Sequence, residues 1–427
     1  MRIEELYQCF LQCDTICTDT RKITPNSLFI ALKGDNFNAN EFAQEALNKG
    51  ALFAIIDDKK YHTDQNKMLL VNNSLQTLQE LAHYHRIQLG LPIISLTGSN
   101  GKTTTKELIN SVLSKKYKTV ATQGNLNNHI GVPLTLLSIK EDTDIGIVEM
   151  GANHQKEIDL LCNIATPDFG YITNFGKAHL EGFGGIEGVI KGKSEMYNYL
   201  ETNHKTVFVN LDDPIQEEKT QKINRYTFST NSNKTPNVTI TEIQANPFVK
   251  IKYNNIEIQS NLIGIYNSNN INVAISIGKY FNVSDQDIKE AIQNYTPSNN
   301  RSQLIEKNTN KIILDAYNAN PSSMLAALNN LKQLEGEKTA ILGDMFELGE
   351  ESLIEHTKII ESVLNDTSIH YHFIGKDFYT SKITKEHIHY YTSFEDFVQN
   401  KPTKIENNTI LIKGSRGMAL ERTLEII

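Results

Sequence analysis

Seven consecutive positions, Gly98, Ser99, Asn100, Gly101, Lys102, Thr103 and Thr104, hold the residue types and spacing most suited to chemistry in this chain. They lie in "IISLTGSNGKTTTKELI", residues 93–109, between an apolar run and a segment of helical character. A strand that ends in glycines and feeds directly into a helix turns several backbone N–H groups toward one point, with the positive end of the helix dipole behind them. A phosphate fits that point. Lys102 would then reach the outer phosphates of a nucleotide such as ATP, and the Thr103 hydroxyl would hold Mg²⁺. The full form of such a loop places four residues between its first glycine and the Gly-Lys pair, whereas only Ser99 and Asn100 separate Gly98 from Gly101. The strand, the helix and the Gly-Lys-Thr run are retained; the alternative is a glycine-rich turn that binds nothing.

A metal beside a triphosphate needs hard oxygen ligands on the same rim, which in a parallel α/β sheet is the carboxyl ends of the strands. "IGIVEMGAN" puts Glu149 just past an apolar run, and "FGYITNFGKAHLEGFGG" does the same for Thr173, Asn174 and His179. Taken singly, Glu149 is as much a solvated loop acid as a ligand, and His179 is a histidine satisfied by a hydrogen bond. Sharing a predicted rim with Lys102 turns the pair toward function.

The elements that must position these groups follow from periodicity. From Ser27 to about Leu89, strands at "LFIAL", "ALFAIID" and "MLLV" alternate with helices at "NEFAQEALNKG" and "SLQTLQELAHYHRIQL", a small α/β unit. Residues 14–21 read as the exit of an N-terminal helix, and Cys9, Cys13 and Cys17 as small buried hydrophobes rather than a metal stripe. "GLPI" reads as a hinge into the loop strand. Strands at "TVAT", "IGIVEM", "FGYITN" and "TVFVN" with helices between imply right-handed crossovers and a parallel sheet. "NVTITEI" and "FVKIKYNNIEIQSNLI" alternate with period two around an Asn-Asn turn, an antiparallel appendage. Two helices follow, the second capped by Ser284 with Asp287. After a linker at "NYTPSNNR", strands at "KIILDAY", "KTAILGDM", "IHYHFIG", "HIHYY" and "NTILIKG" form a third α/β unit. The expected architecture is α/β with three domains, at 1–88, 89–298 and 299–427: a small N-terminal unit, a central mostly parallel sheet flanked by helices, and a Rossmann-like C-terminal unit.

A chain of 427 residues is long enough for two or three cores. With 39% hydrophobic and 22% charged residues it is expected to fold throughout as a soluble protein. A formal charge of -8 argues against nucleic acid as a partner, since such binders carry a basic face. The acidic start "MRIEELYQCF" lacks the pattern of a signal peptide and no apolar run approaches about 20 residues, so a cytoplasmic protein without membrane insertion is expected. Four cysteines do not make a disulfide scaffold. The pairs His83/His85 and His387/His389 lack supporting acids or cysteines and read as structural.

Eight strings, "TGSNGKTTTKE", "GNLNNHIGVPLTLL", "VEMGAN", "ITNFGKAHLEGFGG", "YNSNNINVA", "DAYNANPSSM", "LGDMFELGEES" and "KGSRGMALE", resemble in order those of the Mur ligases, ATP-dependent amide-forming enzymes of peptidoglycan synthesis. The short loop is that family's own form. The resemblance implies that a carboxylate attacks the γ-phosphorus of ATP to give an acyl phosphate, which an amine then displaces. Anion attacks anion, so the task is charge neutralisation and positioning rather than nucleophilic catalysis by the protein. It further implies two Mg²⁺ sites, one held by Thr103 and Glu149 and one served by His179, with a CO₂-derived carbamate on a lysine of "KGKSEMY" beside the second. Lys193, followed by Glu195 and an aromatic as in the family, is preferred to Lys191. Lys102, Lys193 and His179 are then the catalytic set. Asn267 and Asn270 are implied near the adenine, and Arg301 and Asp315 near phosphate and ribose; alone, these are cap residues and surface charges.

"CTDTRKITPNSLFIALKG" resembles the family's uridine-nucleotide domain, implying contacts from Thr18, Asp19, Thr20, Arg21 and Ser27, where a capped turn is the plain alternative. Asn125, Asn127 and Asn128 are implied against the muramoyl peptide, together with Thr173 and Asn174; His129 stands where the family commonly has an acid. "NANPSSM" and "LGDMFELG" resemble the dipeptide-adding subgroup, making Asn318, Asn320, Asp344 and Met345 candidate dipeptide contacts. The partners implied are UDP-N-acetylmuramoyl-tripeptide and D-alanyl-D-alanine, acting on a monomer.

Overall fold

The structure, a computed structural model, describes residues 2–298, 300–401 and 405–427. Three main sheets succeed one another along the chain. Thr15–Cys17, Ser27–Ile30, Phe53–Ile56 and Met68–Leu70 form a parallel four-stranded sheet in that order. Residues 14–21 are therefore not a helix exit. The N-terminal helix stops at Phe10, and Thr15 and Ile16, both β-branched, pair with Ser27 and Leu28 instead. All four cysteines are free, and Cys9, Cys13 and Cys17 do not share one helix.

The central sheet has nine strands. Ile93–Thr97 sits between Phe169–Ile172 and Ile145–Glu149, parallel to both, so that three carboxyl ends emerge side by side. Thr119–Ala121 closes one edge. On the other side Thr206–Asn210, Asn224–Ser229 and Val238–Ala245 continue the parallel array, and Phe248–Tyr253 and Ile256–Ile263 complete it antiparallel. The expected antiparallel appendage is thus an extension of the main sheet. Asn224–Ser229 escaped periodicity because its first half is exposed and only its last three residues are buried. Ser284 caps the helix Asp285–Asn294, accepting from Asp287 N at 3.1 Å.

The third sheet runs Gln303–Lys307, Asn310–Asp315, Asn408–Lys413, Glu337–Gly343, Ile369–Ile374 and Ile388–Tyr391. All its pairings are parallel except the first, a hairpin whose edge strand was not anticipated because its residues alternate between half-buried and exposed. The linker at 294–301 contains residue 299, outside the described residues. Among the described residues no helix is long and apolar enough to cross a membrane.

The helix Ser74–Leu89, capped by Asn73 and stopped by Gly90 in the left-handed region, joins the first unit to the second. Buried Arg86 donates to the carbonyls of Ala165 and Thr166, both at 3.1 Å, and to Asp168 Oδ2 at 2.7 Å. His85 is satisfied by Ile139 O at 2.9 Å and the Tyr7 hydroxyl at 3.0 Å, and His83 by Ile164 O at 3.2 Å. His387 lies 3.4 Å from Val363 O, and His389 stacks on His372 at 5.1 Å.

Burial, with lesser repulsion from His389 and His370, lowers the pKa of His372 to about 3. An unfolded histidine titrates near 6.5, so between the two values only the unfolded chain binds the proton and stability falls with falling pH. Going from pH 7 to pH 5 is expected to remove up to about 2 kcal/mol from the third unit. In His372→Phe the decline of melting temperature over that range should flatten, whatever the offset at pH 7. An unchanged slope would locate the pH sensitivity elsewhere.

Candidate active site

The loop opens where Ile93–Thr97, buried throughout, leaves the sheet. Gly98 and Gly101 have φ of 143° and 79°, and a Cβ on Gly98 would overlap Thr173 Oγ1, so glycine is required there by both conformation and space. The helix Lys102–Leu113 begins with Gly101 as N-cap and no side-chain acceptor for its first N–H groups, which leaves donors free for an anion. Lys102 donates to Gly98 O at 2.7 Å and is folded over its own loop. Burial, and to a lesser degree Arg301, lowers its pKa, while Glu149 opposes the shift.

The two neighbouring strand ends complete the rim. Thr103 Oγ1 donates to Glu149 Oε2 at 2.9 Å, and Asn127 Nδ2 donates to Glu149 Oε1 at 2.8 Å. Glu149 is 1% exposed, so a hydroxyl and a carboxylate are held together out of bulk water. Hard oxygen donors so paired suit Mg²⁺. Among the described residues no three His, Cys, Asp or Glu side chains are grouped to hold a metal by themselves. Metal binding here would need phosphate or water oxygens as well.

Thr173 and Asn174 brace the loop. Thr173 Oγ1 and Asn174 Nδ2 donate to Asn100 O at 2.6 and 2.9 Å, and Asn100 N donates to Asn174 Oδ1 at 3.1 Å. Asn270 backs Gly101, accepts from Thr105 Oγ1 at 3.0 Å and donates to Asn267 Oδ1 at 2.9 Å. Asn128 caps the turn into Gly131–Leu137, accepting from Gly131 N at 2.9 Å.

Lys193 and Lys191 separate clearly. Lys191 is exposed, whereas Lys193 is 0% exposed and, among the described residues, its Nζ has no hydrogen-bond partner. The amine stands 5.2 Å from the centre of the Phe183 ring. Burial, and secondarily Lys102, drives its pKa well below the ordinary lysine value. An orphaned amine whose charged form is disfavoured by burial fits a lysine that takes up CO₂. Glu195 does not pair with it; its carboxylate caps the helix Glu157–Ala165 through Lys156 N and Asp159 N at 2.6 and 3.0 Å.

A cavity of about 970 Å³ joins the second unit to the third. Of the anticipated residues it is lined by 99–104, Asn125, Asn127, Asn128, Glu149, Asn174, His179, Asn267 and Asn270 on one side, and by Arg301, Asp315, Asn318 and Asn320 on the other. Arg301 stacks on Tyr317 at 3.6 Å, and Asp315 accepts from buried Lys413 at 2.6 Å and from Ser302 N at 3.1 Å. Asn318 O also accepts from Lys413, at 3.2 Å. Asn320 donates to Asn100 Oδ1 at 2.7 Å, a direct link from the third unit to the loop. His179 Nδ1 lies against the Glu347 carboxylate, and that contact holds the Glu347 carboxyl below its usual range.

Several anticipated residues lie elsewhere. Asp344 accepts from Asp377 N and Phe378 N at 3.1 and 3.0 Å, and Met345 is wholly buried, so both are engaged inside the third unit. Thr18, Asp19, Thr20, Arg21 and Ser27 belong to the first unit and do not line the cavity. Asp19 caps the turn Thr20–Lys22, and hydrogen bonds from Arg21 lower its pKa to about 2. Ser27 is buried. The cavity also takes Tyr266, Ser302, Tyr317, Glu347 and Lys413, none of which stood out in the sequence. Tyr266, Tyr317, Glu347 and Lys413 fall inside four of the eight strings, a usable signal; Ser302 had none.

A model of the Mur ligase middle domain matches residues 96–278, and one of the Mur ligase glutamate ligase domain matches residues 300–416. The UDP-N-acetylmuramoyl-tripeptide--D-alanyl-D-alanine ligase of Bacillus subtilis (strain 168) is 34% identical over 96% of this chain and 92% of its own. The chain belongs to the Mur ligase family. The enzyme of the same name from Escherichia coli (strain K12) is 31% identical to this Mur ligase, over 99% of the chain and 95% of its own. A crystal structure of MurF from Acinetobacter baumannii superposes with a TM-score of 0.87 at 29% identity, covering 99% of this chain and 97% of that one. This Mur ligase is accordingly an enzyme of that ligase class, with the three-domain α/β fold of the solved structure.

Proposed function

We propose that this Mur ligase joins D-alanyl-D-alanine to UDP-N-acetylmuramoyl-tripeptide at the expense of ATP, through an acyl phosphate, releasing ADP and phosphate. The near full-length likeness to enzymes so named supports the substrates. The observation that carries the chemistry is the pairing of the Thr103 hydroxyl with buried Glu149 directly beside the glycine loop. In this reading residues 1–88 hold the uridine nucleotide, 89–298 hold ATP and 299–427 bring the dipeptide and close over the nucleotide.

The loop amides and Lys102 hold the β- and γ-phosphates, with Asn267, Asn270, Arg301 and Asp315 around the rest of ATP. Thr103 and Glu149 would hold one Mg²⁺, and His179 with a carbamate on Lys193 a second. Bound there, Mg²⁺ neutralises charge so that the peptide carboxylate can approach the γ-phosphorus. The chain's own part is alignment in line and exclusion of water, since no side chain here needs to become a nucleophile. Asn125, Asn127 and Asn128 face the peptide end of the acceptor, and Asn318 and Asn320 the incoming amine.

The test is phosphate release coupled to mass spectrometry of the product. UDP-N-acetylmuramoyl-tripeptide plus D-alanyl-D-alanine should raise phosphate release far above the rate with ATP alone and yield the pentapeptide nucleotide. ATP turnover indifferent to both acceptors would favour a nucleotide-dependent switch on the same loop and overturn the reading.

A further inference from the structure

The segment 173–181 leaves the sheet at the end of Phe169–Ile172 and is gripped from two sides. On one side it holds the phosphate loop: Ser99 N donates to Asn174 O at 3.1 Å and Ser99 Oγ to Gly176 O at 2.7 Å, beside the Asn100 bonds described above. On the other it is held by the third domain. Lys177 N donates to Ser322 Oγ at 2.8 Å, Lys177 Nζ donates to Glu355 Oε1 at 2.7 Å, and Glu181 N donates to Glu347 O at 3.3 Å.

A second, independent observation concerns the backbone. His179 and Glu347 face each other across this interface, and both are non-glycine residues in the left-handed region, at φ of 55° and 62°. Such conformations persist only where surroundings over-determine them, and they gather at sites that switch. Each partner here is held by a contact that the other domain supplies. Glu355 is 3% exposed; burial raises its carboxyl pKa, but hydrogen bonds from Lys177 and Lys358 more than offset this and leave it below the ordinary value. A buried carboxylate fixed on the third domain thus seizes a lysine that extends from the central one.

We infer that 173–181 is a mechanical link, beside the direct Asn320–Asn100 bond, by which docking of the third domain sets the phosphate loop and His179, with Lys177 and Glu347 as positioning residues rather than catalytic ones. The link has discrete contacts at both ends, as coupling between sites requires. Its effect would be to make the nucleotide pocket complete only when the amine-bearing domain is seated. This inference rests on the proposed function for its meaning, but not for its first test.

The first test is hydrogen–deuterium exchange of the full chain, with and without a nonhydrolysable ATP analogue. In Lys177→Met, exchange at 173–181 and at Ser99 and Asn100 should quicken together by about tenfold, as expected for loss of one charged hydrogen bond. Lys177→Arg should restore slow exchange. Faster exchange confined to 320–323 and 352–358, with Ser99 and Asn100 unchanged, would mean local stability only and would overturn the inference. The second test is kinetic: Lys177→Met and Glu347→Gln should lower kcat about tenfold while the KM for ATP moves less than about twofold, because binding survives and alignment does not. Unaltered kcat in both variants would also overturn it. Failure of the wild-type chain to form product would instead remove the functional reading and leave the exchange experiment to decide the coupling.

Discussion

Lys102→Ala is expected to lower kcat/KM by about 10³-fold or more while leaving the thermal transition within about 2 °C of wild type. The two halves of that expectation have separate causes. Removal of one preorganised donor from a developing charge costs about 10² to 10³ in rate, and a full positive charge on the outer phosphates is at the upper end. In the free protein the ammonium donates to its own loop, at Gly98 O and Ser99 O, so few native contacts are lost. Burial already lowers the pKa of this ammonium, and deleting it relieves that cost. ADP release and a melting curve on the same sample check both halves. Activity within tenfold of wild type, or disappearance of the cooperative transition, would show that the loop is a structural turn.

Lys193→Met should separate activity from stability still further. The native amine is fully buried and has no hydrogen-bond partner among the described residues, and an unsatisfied buried polar group costs about 1–3 kcal/mol. Methionine has nearly the same shape without the polar atom, so the melting temperature should hold or rise by a few degrees. Activity should nonetheless fall by about 10³-fold, because the group that would carry the carbamate is gone. Lys193→Arg makes the complementary case. A guanidinium does not give up its proton and would sit beside Phe183 unpaired, a loss of about 3–5 kcal/mol. Carbon-13 NMR in labelled CO₂ provides a readout apart from turnover: a carbamate resonance in the wild type, absent from Lys193→Met. A methionine variant with near-normal turnover, or a wild type with no resonance at saturating bicarbonate, would remove Lys193 from the reaction.

The glycine loop and its neighbours were legible because their signals are local. "TGSNGKTTTKE" places strand end, turn and helix start within a dozen residues, and "IGIVE" and "FGYIT" are apolar runs ending at a polar residue. The misreadings arose where local pattern is weak. Thr15–Cys17 is three residues long and is a strand only because Ser27–Ile30 lies alongside it. Gln303–Lys307 and the first half of Asn224–Ser229 are too exposed to show an apolar run.

The roles of individual side chains divide in the same way. That Lys193 rather than Lys191 is the buried lysine is a matter of which face of the helix Ile186–Lys193 meets Phe183, and two lysines two residues apart look alike until that face is packed. That Asp344 caps Phe378 while Glu347, three residues later, reaches His179 depends on the end of a strand meeting a different domain.

By itself, then, the amino-acid order determined the secondary elements with strong periodicity, the phosphate loop and the family, since each is written in residues near one another along the chain. Only the tertiary structure decided that Ile93–Thr97 lies between the strands that end at Glu149 and just before Thr173, that Lys193 is sealed without a hydrogen-bond partner among the described residues, and that Asn320, Glu347 and Glu355 reach across to the central domain. The reason is that strand order, burial and domain contact are set by packing among segments tens to hundreds of residues apart, and local pattern carries no record of which distant surface will be met.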